Sequence, residues 1–544
     1  MNSNINLGVN SYNINNNFSS SSPLPSSPLF PFSQRPLSRI ADKVWSVILN
    51  PLLTNPNRSS ILIDQLLSFN NHFKKVLSKG LEIFPAAADL IANAEYSVCF
   101  VTYMWTEGCD PEKALAEGVY RATKRRAEAK RTGQPFQRLK IRIVADDCPG
   151  GSALVKSGFK QLSIWKRKGK FNSEFIDLSI GSYTHLLADA VHSKYMVVDN
   201  KYVLITGDNV YAYSNFNEDS WFDSGYILQG PVANTAQSDF EYIWKQVQVW
   251  NCPDDESRCY LTYHSPISHF PQSFSNSNNG FPVIALPQCS SFGLGRRSTW
   301  TYSSPQDQAF IAAIRAATKS LYIVTPNLNA IPFLSSLLIP LRHGTQVKLL
   351  TSNQFDVTAQ NLPGHGGDNE QALHWWFSCN KNELEPLLET EQLQIRYFRP
   401  ASKKMPIGGK AQANHTKLMI IDESVSIVGS ANHDTQSWER SQEFNLLLDD
   451  QETTLTIANT IFFPQWNSSL PIKNFPTSSS YWALNIGLAI LVFFIVWALL
   501  KYRFGAKRSH VYIISFVALC VFAFFASRLT PREKELMGIW STEK

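Results

Sequence analysis

The chain has 544 residues, 44% of them apolar, enough for two or three domains and a sizeable buried core. A formal net charge of +6 suits an anionic surface without specifying one. Its eight cysteines include no C-x-x-C pair and no tight Cys/His cluster, which argues against a zinc site. Cys252 and Cys259 could pair outside the cytoplasm, with isolated thiols as the alternative.

Residues 1–38 are rich in Asn, Ser and Pro and are expected to form a disordered tail, without the basic start and apolar run of a signal peptide. An alanine-rich helical stretch over 86–94 leads into an apolar strand over 96–103, and a basic-apolar strand is predicted over 139–144. Tyr195-Met196-Val197-Val198 then reads as a short buried strand, preceded by His192 and Lys194 and closed by Asp199, with Asn209 ten residues further on. The same order returns: a helical stretch over 310–317, a strand over 321–326 and a basic-apolar strand over 347–350. After it come His415 and Lys417, the run Leu418-Met419-Ile420-Ile421, Asp422, and Asn432 again ten residues on.

Tyr96 and Leu321 are 225 residues apart and His192 and His415 are 223 apart, so two halves run nearly in register. The expected fold class is α/β, with two pseudo-symmetric halves over 39–250 and 306–466 joined by a linker over 251–305. Each half is expected to be a mainly parallel sheet flanked by helices, with the site on the seam and the two histidines facing each other. Residues 481–500 carry no charge and 511–527 are almost purely apolar, with Lys501, Arg503, Lys507 and Arg508 between them. They read as a transmembrane helical hairpin over 481–527, followed by a tail over 528–544, in a multi-pass membrane protein. The basic loop favours one orientation and the missing export signal the other. Long domains respond poorly to loop charge, so the expectation is a cytosol-facing catalytic domain.

The repeated pattern H-x-K-x4-D carries the chemistry. Side chains alternate along a strand, so His192 and Lys194 share one face, as do His415 and Lys417. A paired His and Lys form a cationic, donor-rich surface suited to a phosphate diester. Imidazole serves as nucleophile or as general acid and base, and lysine places charge where phosphoryl oxygens gain it. The aspartates orient imidazoles or hold strand ends. One such strand is more often plain packing; packing does not demand the same polar triplet twice.

On these residues the stretch 80–465 resembles the phospholipase D superfamily. The second half is similar to the family pattern throughout, in Gly429-Ser430-Ala431-Asn432-His433-Asp434-Thr435-Gln436-Ser437-Trp438 and then Ser441-Gln442-Glu443. The first half departs from it at Thr206-Gly207-Asp208-Asn209, where a Gly-Ser or Gly-Gly pair precedes the asparagine. Its next segment, Trp221 to Gly225 and Gly230 to Ala233, is similar to cardiolipin synthase-type members. The resemblance implies a two-step phosphodiester transfer with His192 as nucleophile and His415 as acid and base. It implies that Lys194, Lys417, Asn209 and Asn432 bind the phosphoryl oxygens, with Ser430, Asp223 and Glu443 in the substrate-binding set. Asp223 and Glu443 would orient the histidine of the opposite half. Asp199 and Asp422 complete the catalytic motifs but read as more structural than catalytic. Neither cofactor nor metal is implied. The implied function is a membrane-anchored phosphodiesterase or phosphatidyltransferase acting on glycerophospholipids, with the phospholipid membrane as partner. A nuclease acting on nucleic acid and an inactive membrane-tethered scaffold are the alternatives.

Overall fold

The computed structural model describes residues 35–146, 172–183, 190–217, 220–251, 260–262, 280–289, 304–352, 355, 360, 365–398 and 413–472. The expected hairpin over 481–527, Cys252, Cys259 and residues 1–34 lie outside them. Among the described residues no helix is long and apolar enough to cross a membrane. The expected tail boundary at 38 moves: Arg35 pairs with Asp450, and Ser38 caps the helix Arg39–Thr54 by accepting from the Ala41 amide.

The strands of the first half are β1 (Leu67–Ser78), β2 (Ser97–Thr102), β3 (Leu139–Asp146), β4 (Ile176–Tyr183), β5 (Ala190–Val191), β6 (Tyr195–Val198), β7 (Tyr202–Thr206) and β8 (Ser224–Gln229). Two short strands, β9 (Gln248–Asn251) and β10 (Tyr260–Thr262), follow. The second half contains β11 (Phe281–Gln288), β12 (Ser320–Thr325), β13 (Gln346–Thr351), β14 (Leu393–Tyr397), β15 (Leu418–Ile421), β16 (Val425–Gly429), β17 (Ser441–Leu448) and β18 (Leu470–Pro471).

Every residue of β2 and of β12 is buried, as expected of continuous apolar runs covered on both faces. The period-two alternation of β2 divides the core. Val98 and Phe100 pack with Ile91, Leu115 and Val119 of the helices Lys79–Asn93 and Asp110–Arg131. Cys99 and Val101 join the larger core of the opposite face, with Phe240 and Ile243 of the helix Val232–Trp244. That larger core runs on without interruption into the second half, through Tyr195, Phe444 and Leu447.

The expectation of mainly parallel sheets is corrected. Within each half only β2–β3–β4 and β12–β13–β14 run parallel, the one further parallel pair among the described strands being β5–β17 between the halves. β6, β7 and β8 are antiparallel to their neighbours, as are β15, β16 and β17. Connection length is the reason. β6–β7 and β15–β16 are joined by tight turns, which allow only antiparallel pairing, whereas the parallel strands have long crossovers. The stretch expected to be a linker over 251–305 contains β11, a fully buried strand paired with β17. β1 joins the two halves: its first residues pair with β11, its later ones with β8.

Phe444 is fully buried on β17, with its ring centroid 4.8 Å from that of Tyr195 on β6. Phe444→Ala should therefore destabilise the chain by about 3–5 kcal/mol. The effect would be read as a lower urea midpoint at unchanged slope. A loss below about 1 kcal/mol would show that the seam does not carry core packing.

Candidate active site

Each turn that closes a motif strand starts with its aspartate. The Val198 carbonyl accepts from the Lys201 amide, and Asp199 and Asn200 sit at φ of 54° and 52°. The Ile421 carbonyl accepts from Ser424, with Asp422 and Glu423 at 51° and 52°. Asp and Asn tolerate this left-handed region better than most residues. Both carboxylates also staple their hairpin to the strand beside it. Asp199 accepts from the amides of Glu95, Tyr96 and Ser97 at 2.7–2.8 Å. Asp422 accepts from the amides of Thr318, Lys319 and Ser320 and from the Thr318 hydroxyl. Four strand residues lie between each lysine and its aspartate, a span of roughly 16 Å over five steps of ~3.3 Å. Counting Asp199 and Asp422 as catalytic is thereby corrected: their carboxylates are occupied at the far end of the strand.

At the near end the two halves exchange partners. β5 pairs in parallel with the start of β17, and the His192 amide donates to the Gln442 carbonyl at 2.8 Å. Reciprocally, the Phe222 amide donates to the Ala413 carbonyl, and the His415 amide donates to the Phe222 carbonyl at 2.7 Å. The residue after each histidine's backbone acceptor, Gln442 or Phe222, is an acid. Glu443 Oε1 lies 2.7 Å from His192 Nδ1, and Asp223 Oδ2 lies 2.7 Å from His415 Nδ1. Each histidine is thus held, by backbone and by ring, from the opposite half. Behind Gln442, its side-chain amide and the Tyr195 hydroxyl both donate to buried Asp239. Lys194 Nζ donates to the His192 carbonyl and Lys417 Nζ to the His415 carbonyl, and both lysines are buried.

Burial dominates the electrostatics. It pushes Lys194 down to about 7 and Lys417 to about 8, with Glu443 the main counterweight for Lys194 and Asp223 for Lys417. Both histidines fall below their ordinary value, mainly by burial, and the lysine charges add to this. The two acids diverge. Burial alone would raise Glu443, but His192, Lys194 and the Ser430 hydroxyl bring it below the usual carboxylate range. Asp223 is raised well above that range, by burial first and also by the neighbouring Asp208 carboxylate.

A profile of the family described as "Cardiolipin synthase, PLD-like domain" matches residues 310–462, which hold the second motif and its acid. Cardiolipin synthase 2 of Staphylococcus epidermidis is 22% identical over 354 residues, covering 64% of this chain and 60% of that protein. The chain therefore spans about three fifths of that relative's length, 60%. The major cardiolipin synthase ClsA of Bacillus subtilis is 22% identical over 437 residues, covering 79% and 73% of the two chains. The crystal structure of phosphatidylserine synthase from Haemophilus influenzae Rd KW20 superposes with a TM-score of 0.52 at 15% identity, covering 76% of this chain and 90% of that one, a likeness of fold. The chain is thus similar to phospholipase D-like proteins, in the second half by family profile and over most of its length by these relatives.

The residues expected at the site fall into three groups. His192, Lys194, His415, Lys417, Asp223 and Glu443 converge at the seam. Asn209 and Asn432 are buried beside them and oriented differently. Asn209 Oδ1 accepts from the Met104 amide, whereas Asn432 Nδ2 donates to Asp434 and its Oδ1 is buried without a partner. Ser430, expected to bind substrate, instead donates to Glu443 Oε2 at 2.5 Å and accepts from the Phe444 amide. Among the described residues no three His, Cys, Asp or Glu side chains are grouped to hold a metal. Asn414, next to His415, is buried, and its side-chain amide donates to Gln465.

Sequence reasoning missed Ser437, which donates to Glu443 Oε1 at 2.7 Å, and Tyr103, whose ring stands edge-on to His192 at 5.0 Å. Ser437 lies in the quoted second-half motif and Tyr103 at the end of a predicted strand, so spacing was the available signal. It also missed an aromatic wall at His415, where Trp221 stacks on Tyr213 at 4.3 Å and lies 5.7 Å from the imidazole.

Asp422 supports a pH prediction. Burial by itself would raise it, but hydrogen bonds from Lys319, Thr318 and Ser320 bring it below the ordinary value. A depressed carboxylate contributes stability above its unfolded pKa, and that contribution is lost as pH falls through the folded value. Asp422→Ala should cost about 2–4 kcal/mol at neutral pH and progressively less below about pH 4. Turnover of the folded fraction should change less than about threefold, because the carboxylate is remote from the seam. A hundredfold loss in kcat from a fully folded variant would return Asp422 to the catalytic set.

Proposed function

We propose that the chain is a phosphatidyltransferase or phosphodiesterase acting on glycerophospholipids through a phosphohistidine intermediate. The crossed, buried pair of His–carboxylate couples with a lysine beside each is the single observation that carries this reading. A diester phosphate bound between Lys194 and Lys417 brings its negative charge to two buried cations, where Coulomb attraction is far stronger than in water. His192 attacks phosphorus, and the P–O bond to the departing alcohol breaks as His415 supplies that oxygen with a proton. His415 then takes a proton from water or from a second alcohol, which attacks phosphorus and releases His192. Asn209 and Asn432 line the phosphoryl oxygens.

Two similar proteins named as cardiolipin synthases support a lipid diester and transfer to an alcohol rather than to water alone. The apolar stretches over 481–500 and 511–527 support a bilayer anchor that keeps the site at a lipid surface. Release of the full chain from membranes by high salt alone would rule that anchor out, since salt screens charges and not apolar burial.

The test is turnover of labelled phosphatidylglycerol, phosphatidylcholine and single-stranded DNA by the full chain, with and without EDTA. Lipid turnover is expected to survive EDTA. His192→Ala and His415→Ala should each lower it by about 10²-fold or more while the fold is kept. Turnover above about a tenth of the unaltered rate in either variant would overturn the two-histidine mechanism. Cleavage of DNA in place of lipid would overturn the substrate class.

A further inference from the structure

The two halves repeat one motif, yet the chemistry they place behind each imidazole differs. In the second half Glu443 receives two hydroxyl hydrogen bonds, from Ser430 at 2.5 Å and Ser437 at 2.7 Å. In the first half, counting back from the asparagine, Gly207 stands where the second half has Ser430, and Asp208 where it has Ala431. A side chain at Gly207 would collide with Asp223 Oδ1, so this acid has no hydroxyl above it. The Ser224 amide reaches Asp223 Oδ1 instead, at 2.8 Å.

Asp208 adds a negative charge that the second half lacks. Its side chain is buried; Oδ1 accepts from the Asn209 amide at 2.9 Å and from the Ser214 hydroxyl, which fixes the carboxyl group. Oδ2 is buried without a hydrogen-bond partner. The titratable groups around it are Lys417 and Lys194, Asp223, and Tyr211, whose ring is 6.4 Å from that of His415. One acid is therefore surrounded by hydroxyl donors, and the other shares its surroundings with a second carboxylate. Like charges held together keep a proton on one of them.

We propose that Asp208 is a positioning residue that breaks the symmetry of the duplicated site by keeping the acid proton on the Asp223–His415 couple. Glu443 stays ionised and accepts from His192 Nδ1–H, so His192 Nε2 carries a lone pair and is the nucleophile. Protonated Asp223 donates to His415 Nδ1, so the proton of His415 is on Nε2, where a leaving oxygen can take it. In the first step the His192 Nε2 lone pair forms the N–P bond and the P–O bond breaks. The leaving oxygen receives the His415 Nε2 proton while the Asp223 proton moves to Nδ1. In the second step the incoming hydroxyl gives its proton to Nε2, Nδ1 returns its proton to Asp223, and the N–P electron pair returns to His192. No net proton is gained or lost; the phosphorylated His192 ring carries its positive charge against Glu443, and His415 never has to become a buried cation. Burial pushes Asp208 itself up to about 7, so its charge develops as pH rises, when the couple would otherwise lose its proton.

The inference rests on the two-histidine reading above. The experiment is the pH dependence of kcat for labelled phosphatidylglycerol with the full chain, Asp208→Asn and Asp208→Glu. Asparagine keeps an acceptor for Asn209 and Ser214 but removes the charge. Its alkaline limb should move down by roughly one pH unit or more, with kcat at acid pH within about threefold of the unaltered chain. Asp208→Glu should leave the limb near its original position. An unmoved limb in Asp208→Asn, or a loss uniform across pH, would overturn the assignment while His192→Ala and His415→Ala stay inactive. Turnover retained in either of those alanine variants would instead sink the two-histidine reading itself. Independently of any Asp208 variant, spectra of the unaltered chain labelled with ¹⁵N-histidine give the tautomers, with signals assigned by their loss in His192→Gln and His415→Gln. One Nδ1–H ring at His192 and one Nε2–H ring at His415 are expected; the same tautomer at both would refute the proposal.

Discussion

Neither half of this molecule can hold its own histidine. The backbone acceptor for the His192 amide and the carboxylate at its Nδ1 are consecutive residues of the other half, Gln442 and Glu443. Phe222 and Asp223 do the same for His415. The fold follows from meeting both requirements at once: β5 must reach β17, and the Phe222 segment must reach Asn414. The continuous core through Tyr195 and Phe444 holds this exchange closed, so the site forms only when both halves have folded. Asp199 and Asp422 serve the same end from the opposite side, by anchoring the hairpins whose near ends carry the paired His and Lys of each motif.

Such a site costs stability. Two lysines, two histidines and three carboxylates are taken out of water, and burying charge is unfavourable unless each group is paired. The protein limits the cost by keeping the histidines neutral and lowering the lysines toward neutrality. Burial also raises Asp223 well above the usual carboxylate range, and hydroxyl donors surround Glu443. In the proposed reaction a phosphodiester anion between the lysines would favour their charged forms. Preorganisation of this kind is how a buried cationic site stabilises a phosphoryl transition state without help from water.

Much of the site was legible in the chain because it is written twice. The spacing of His192, Lys194 and Asn209 against His415, Lys417 and Asn432 survives in the sequence as a repeat, and the acids Asp223 and Glu443 follow at family positions. Strand direction was not legible: the apolar run of Tyr195 to Val198 encodes burial but not which neighbour it pairs with, and the turn at Asp199 decides that. β11 was taken for linker because Phe281 to Gln288 is bracketed by polar, turn-rich sequence, although its own residues read as a strand. Ser430 reads as a substrate-binding residue, but its hydroxyl is taken by Glu443, a contact that no linear spacing reports. Asp208 was visible only as a departure from the family pattern. Its meaning depends on where Asp223, Lys194 and Lys417 stand around it.

The central claim is that one histidine, and a particular one, becomes covalently phosphorylated. The direct measurement is a rapid alkaline quench of the full chain turning over labelled phosphatidylglycerol, followed by proteolysis and mass spectrometry of the two motif peptides. A phosphatidyl adduct on the peptide containing His192, absent from the peptide containing His415 and absent in His192→Ala, is the predicted result. An adduct on His415 alone, or none on either histidine under conditions of rapid turnover, would contradict it.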